Sequence, residues 1–201
     1  MRRVALARTP GPPAGHGGGD ELVALLDPAA DPGPPGTPGL PVTGAAPRRR
    51  VRRLNLPHAA TGVLLRDGRG RVLVHRRTTT KDVHPGLLDC LAGGVVGAGE
   101  DAGAAAAREL AEELGVRGAP LRPLLRTWYR DEHTWYLACV YEVVHDVAVH
   151  GELVLQPAEV ACAGWVEPDA LAALLRDPAG GVVPDSRALL LGAPALLAPW
   201  A

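Results

Sequence analysis

The octet "RELAEELG" (Arg108–Gly115) sets three glutamates within five residues, beside one arginine. At the helical pitch Glu109, Glu112 and Glu113 fall on one face, within about 100° of one another. Like charges four apart oppose a helix by about a few tenths of a kcal/mol. The cluster is therefore either a solvated helix face or a site that uses concentrated negative charge. The second reading has definite chemistry: carboxylate oxygens suit hard divalent cations, which bridge protein acids to substrate phosphates and relieve the repulsion.

Positioning such a cluster requires a helix with a second, buried face. Ala104, Ala107, Leu110, Ala111 and Leu114 occupy the side of the wheel opposite the acids. The spacing predicts a helix from about Asp101 to Leu114 that buries this stripe, presents its acids and ends at Gly115 as the residue after the cap.

The acids also have an upstream context. The stretch "GVVGAGEDAGAAAARELAEELGV" (Gly94–Val116) fits G-x5-E-x7-R-E-U-x-E-E-x-G-U throughout, with U aliphatic. The specified residues are Gly94, Glu100, Arg108, Glu109, Leu110, Glu112, Glu113, Gly115 and Val116. This pattern resembles the signature of the Nudix hydrolase superfamily. The resemblance implies an α/β (α+β) Nudix fold, a mixed sheet sandwiched between helices. It further implies Mg²⁺- or Mn²⁺-dependent cleavage of a diphosphate linkage in a small molecule, such as a nucleoside diphosphate joined to another group. By the same resemblance Glu100, Glu109, Glu112 and Glu113 are metal ligands, and Arg108 orients a glutamate through a charge-assisted bond. The motif leaves the general base open, with Glu109 one candidate and Glu159, in the late loop "QPAEVACAGW", another.

A second feature is "HRRTTTKDVHPGLLDCLAGGV" (His75–Val95), which holds Lys81, the sole lysine of the chain. A compact ammonium marks this place in a chain that otherwise uses arginine. The arrangement R-x3-K-x3-PG (Arg77, Lys81, Pro85, Gly86) is similar to the branch containing isopentenyl-diphosphate isomerase and its hydrolase-like relatives. That similarity implies that Arg77 and Lys81 contact the substrate diphosphate. Isomerisation also calls for a cysteine and then a histidine shortly before the signature glutamate, and those places hold Gly93 and Val95. Cys90 lies three residues early, in a setting that suits a small buried residue. His58 matches one of the isomerase's metal histidines, and the glutamate pair of a later strand has no counterpart in "DEHTWYLACVYE". Hydrolysis is the leading reading; the isomerase and a non-catalytic binding module on the same scaffold are the alternatives.

The surrounding elements follow from pattern. "AATGVLL" and "RVLVHR" flank "RDGRG", a hairpin with Asp67-Gly68 at its turn. "PLLRTWY", "TWYLACVYEV" and "VACAGWV" read as strands, and "PDALAALLRD" as a helix opened by Pro168. "DELVALLD" is compatible with helix or strand, and "PAADPGPPGTPGLPVTGAAP" reads as loop. "RRRVRR" (Arg48–Arg53) reads as a solvated linker in preference to a nucleic-acid patch. Residues 1–19, rich in Pro and Gly, are expected to be a disordered arm, with the domain over 20–201 and its core at about 57–178. Trp128, Tyr129, Trp135 and Tyr136 suit core or dimer packing, or stacking on a base.

Composition bounds the classes. A net charge of −1 gives no pull toward nucleic acid or anionic membrane. No apolar run approaches the roughly 18 residues of a membrane span. Cys90, Cys139 and Cys162 are odd in number and widely spaced, as free thiols in a reducing cytosol would be. The expectation is a cytoplasmic enzyme whose partner is a small-molecule diphosphate, with a homodimer left open.

Overall fold

The structure, a computed structural model, describes residues 19–198. The expected disordered arm lies outside the described residues except at Gly19. At the start, β1 (Leu22–Leu26) pairs antiparallel with β2 (Val42–Pro47). The apolar run is thus a strand, and part of the segment expected as loop supplies its partner. Val23 and Ala46 are buried on this pair and enclose Val51.

Val51 belongs to α1 (Arg48–Leu54), so the basic run is a helix and not a solvated linker. Arginine is a good helix former. The single apolar position anchors the turns, and Asn55 ends them in the left-handed conformation at φ 46°. The Arg48 amide donates to the Glu21 carbonyl, which fixes the entry of the helix beside β1.

β3 (His58–Asp67) runs parallel to β7 (Trp135–His145) along its full length, from His58 opposite Tyr136 to Asp67 opposite His145. β4 (Val72–Arg77) follows β3 through the expected hairpin, although the positive φ falls at Gly70 (78°) and not at Gly68. The Asp67 carboxylate accepts the Arg69 and Arg71 amides and holds this wider turn. The two-residue β5 (Leu88–Asp89) and β8 (Val160–Val166) both pair antiparallel with β4, while β6 (Arg122–Arg130) pairs antiparallel with β7. The eight strands form one mixed sheet.

Helix α2 (Ala102–Leu114) covers one face of this sheet. Asp101 caps it by accepting the Gly103 and Ala104 amides, and Gly115 closes it at φ 75°. A Cβ at Gly115 would lie 2.7 Å from Val154 Cβ, so close packing as well as handedness selects glycine there. After the single turn α3 (Val147–His150), α4 (Pro168–Arg176) and α5 (Pro184–Gly192) pack on the sheet through Leu171, Leu175, Leu189 and Leu190. Arg66, 2 % exposed, bonds the Glu142 carboxylate and the Leu196 carbonyl, tying the central strand to the last turn (Pro194–Leu197). Among the described residues no helix is long and apolar enough to cross a membrane.

Candidate active site

The acidic face of α2 is not turned away from the core, as the wheel suggested. Ala104 and Ala107 are exposed, whereas Ala105, Ala106, Leu110 and Leu114 are buried. Glu113 is buried with them, at 4 % exposure. The reason is in the partners: α2 lies on β3 and beneath the loop Cys90–Glu100, so that both sides of its alanine ridge are covered. The three acids therefore form a gradient, with Glu113 buried, Glu109 at 14 % and Glu112 at 34 % side-chain exposure.

Arg108 organises the gradient. Its Nε donates to Glu100 Oε1 at 2.9 Å, Nη2 to Glu100 Oε2 at 3.1 Å and Nη1 to Glu109 Oε1 at 2.7 Å, with Glu112 at 3.6 Å. Glu100 also accepts the Gly97 amide at 2.9 Å, so both of its oxygens are engaged. Burial alone would raise Glu100, but the Arg108 bonds hold its carboxyl below the usual value. Glu109 goes the other way: burial raises it despite Arg108. Glu113 is raised well above the ordinary value by burial, with the Glu109 charge adding to the effect.

The signature glycine at 94 has a steric cause. A Cβ there would sit 2.5 Å from Glu109 Oε1, so only glycine lets the loop pass over that carboxylate. At Gly93 a Cβ would meet the Thr61 carbonyl at 2.0 Å, which locks the loop against β3.

Glu159 precedes β8 and is brought to the same place. The Gln156 amide donates to the Glu113 carbonyl, and the Thr78 amide to the Glu159 carbonyl, so this loop joins the end of α2 to the end of β4. Lys81 Nζ bonds Glu159 Oε2. Burial would raise Glu159, but the ammonium holds it below the usual range. Lys81 is thus engaged by a carboxylate. Arg77 donates to the Val83 carbonyl at 2.9 Å and lies 3.5 Å from Asp89 Oδ2.

A cleft opens beside these groups, lined by Gly93 and Gly94, by residues of α1, by Tyr136 and by the start of α5. Arg48, Arg52, Arg77 and His58 line it, over a floor that includes Ala60, Leu91 and Ala138. Arg48 pairs with Glu21 and Arg52 with Asp82, so the basic run is a cleft wall. Asp89 and Asp185 also face the cleft, and neither stood out in the sequence, because a lone Asp at the end of a short strand or the start of a helix carries no spacing pattern. Cys90 is buried, and burial drives its thiol pKa far upward, as for an inert core residue. Tyr136 is buried, and Trp128 packs at 6.2 Å from Trp135, so these aromatics are largely structural.

The acids fit a divalent cation in one specific respect. Glu113 Oε2 is buried and has no hydrogen-bond partner, an orphan that a cation would satisfy. Among the described residues no three His, Cys, Asp or Glu side chains converge as a ready-made cage. That suits an ion held by one or two carboxylates and completed by water and phosphate oxygens.

Comparison with known proteins agrees with this geometry. The NUDIX domain family model matches residues 56–185. An uncharacterized Nudix hydrolase of Rhodococcus erythropolis is 42% identical over 181 residues, 85% of this chain and 90% of that protein. The uncharacterized Nudix hydrolase YfcD of Escherichia coli K12 is 38% identical over 132 residues, 66% and 71% of the two chains. The crystal structure of DR0079 from Deinococcus radiodurans superposes with a TM-score of 0.63 at 23% identity, covering 84% of this chain and 97% of the other.

Proposed function

The chain belongs to the Nudix hydrolases, enzymes acting on diphosphate bonds, and from that premise we propose that it cleaves a small-molecule diphosphate at the acidic face of α2 with Mg²⁺ or Mn²⁺. The single observation that carries this reading is the orphaned Glu113 oxygen beside the raised carboxyl of Glu109. A buried carboxylate oxygen that the neighbouring Arg108 and Lys81 leave unpaired suits a metal ligand. Among Glu113, Glu109 and Glu112, one or two would hold the metal, with water and phosphate oxygens completing its shell. When bound, the metal polarises the diphosphate and lowers the pKa of a water. Glu100 takes a different part from the one its motif position implies: with both oxygens engaged, it fixes Arg108, which in turn aims Glu109.

Glu159 is the better placed general base. It stands at the end of α2 on a loop tied to Glu113. Lys81 holds it there, and Arg77 faces the cleft where the diphosphate would lie. Isomerisation is not favoured, because Gly93 and Val95 stand where its acid/base and metal groups would be.

The test is a panel of nucleoside diphosphate derivatives and alkyl diphosphates, assayed for release of phosphate or nucleoside monophosphate with and without Mg²⁺ or Mn²⁺. Metal-dependent release from at least one member is expected. Failure across the panel, or equal rates in chelator, would overturn the proposal. Conversion of isopentenyl diphosphate to dimethylallyl diphosphate would favour the isomerase instead.

A further inference from the structure

Asp89 puts a carboxylate on the wall of a cleft that would receive a diphosphate, where a like charge is unfavourable. Its partners show how that charge is used. Asp89 of β5 stands opposite His75 of β4, and side chains alternate along a strand, so Arg77 shares the face of both. The Leu88 amide donates to the Gly181 carbonyl and the Val183 amide to the Leu88 carbonyl, which clamps the start of α5 to β5 and brings Ser186 to Asp89. Asp89 Oδ1 then accepts two bonds, from the Ser186 hydroxyl at 2.6 Å and the Leu91 amide at 3.1 Å. Oδ2 is left to Arg77 Nη1, at 3.5 Å. Burial keeps the His75 imidazole pKa low, so Arg77 is the cation that Asp89 meets.

Arg77 is also held on a second side, where Nε and Nη2 donate to the Val83 carbonyl at 3.2 and 2.9 Å. A guanidinium is planar and rigid, so contacts on two sides fix the direction of the whole group. It carries more N–H donors than these contacts use, and Arg77 lines the cleft together with Gly93 and Gly94. Asp89 and Ser186 are buried, so the chain Ser186–Asp89–Arg77 runs from the base of α5 to the cleft with its inner links shielded from water. Such shielding makes each link stronger and costlier to leave unmatched.

Resting on the diphosphate-hydrolase reading, we infer that Asp89 is a positioning residue. With Ser186 behind it, Asp89 turns Arg77 so that the remaining guanidinium N–H groups meet the diphosphate oxygens. It acts through Arg77 and touches no substrate itself.

The test is a double-mutant cycle read by calorimetry, with methylenediphosphonate and Mg²⁺ as the non-hydrolysable probe. Arg77→Ala should weaken binding about tenfold or more, as for loss of hydrogen bonds to a charged group. Asp89→Asn keeps an oxygen for Ser186 and Leu91 but sets an uncharged amide against Arg77. It should weaken the probe about three- to tenfold, although removal of a like charge taken alone would tighten it. In the Arg77→Ala background the same change should move binding by less than about twofold. Ser186→Ala, which leaves the Asp89 charge in place, should weaken the probe about two- to threefold, again only with Arg77 present. Tighter or unchanged binding by folded Asp89→Asn overturns the inference. So does equal weakening with and without Arg77, the result for a mere anchor between β5 and α5, and so does failure of the wild type to bind the probe. Turnover of the diphosphate panel, followed in parallel, separates the two levels. Coupling between Asp89 and Arg77 without turnover of any diphosphate refutes the hydrolase reading and keeps the Asp89 assignment; turnover without coupling does the reverse.

Discussion

Two charge runs sit on helices, α1 lining the cleft and α2 with Glu109 against its Gly94, and they are built in different ways. The acidic run of α2 is satisfied within its own neighbourhood: Arg108 reaches Glu100, Glu109 and Glu112, all within eight residues. The basic run of α1 finds its partners far along the chain, Glu21 for Arg48 and Asp82 for Arg52. A run with local partners leaves a fixed spacing in the sequence. A run with distant partners looks like any solvated stretch.

The sharpest way to break the contrast is to remove an acid. Glu113→Gln and Glu112→Gln should each lower metal-dependent turnover by about 10²–10³-fold, the scale for loss of one preorganised stabilising group. Steady-state assays with the folded variants check this, and full activity in either would remove the metal assignment. Arg108→Ala should cost about 10–100-fold, as for partners that orient ligands without binding the metal. Its effect should fall mainly on kcat, and Arg108→Lys should restore only part, because one ammonium cannot bond Glu100 and Glu109 as a guanidinium does. Gly94→Ala tests the steric argument. A Cβ 2.5 Å from Glu109 Oε1 should displace that carboxylate and lower turnover about tenfold. Gly93→Ala meets backbone and should instead destabilise the fold by about 1–3 kcal/mol, read in denaturant melts.

Removing metal turns the same burial into a pH effect. The carboxyl of Glu113 is raised in the folded state, so the folded chain holds a proton that the unfolded chain releases. Below the unfolded value near 4.5 this group has no effect on stability. As pH rises from there toward the folded value, its contribution becomes increasingly unfavourable. Metal-free Glu113→Gln should therefore melt above wild type at pH 8, by roughly 3–8 °C, with the difference shrinking toward pH 4.5. Saturating Mg²⁺ should reverse the order, as the proposed role of Glu113 as a metal ligand requires. Equal melting at both pH values would contradict the assigned direction. The smallest effect belongs to the basic helix. Arg52→Ala should raise KM about two- to fivefold for an exposed charge contact, while Arg50→Ala, exposed and off the cleft, should change nothing measurable.

The strands "AATGVLL" and "TWYLACVYEV" were legible because alternating and apolar runs bounded by turn residues specify strands locally. Their parallel pairing was not, since nothing near His58 names Tyr136 as its neighbour. The strand at Val42–Pro47 escaped notice because a Pro- and Gly-rich approach masks a short edge strand whose partner lies about 20 residues earlier.

The sequence by itself determined the candidate reaction centre: the order of Gly94, Glu100, Arg108 and the three glutamates, with a helix to carry them and a glycine to stop it. Those contacts lie within about one loop and one helix, so linear spacing encodes them. Tertiary structure alone decided that Glu113 is buried, that Lys81 meets Glu159, and that Arg48 and Arg52 of α1 line the cleft together with Asp185. Each of these depends on segments brought together by the sheet. Burial, which sets both the charge state of an acid and the worth of a hydrogen bond, belongs to that assembled surface and not to any one segment.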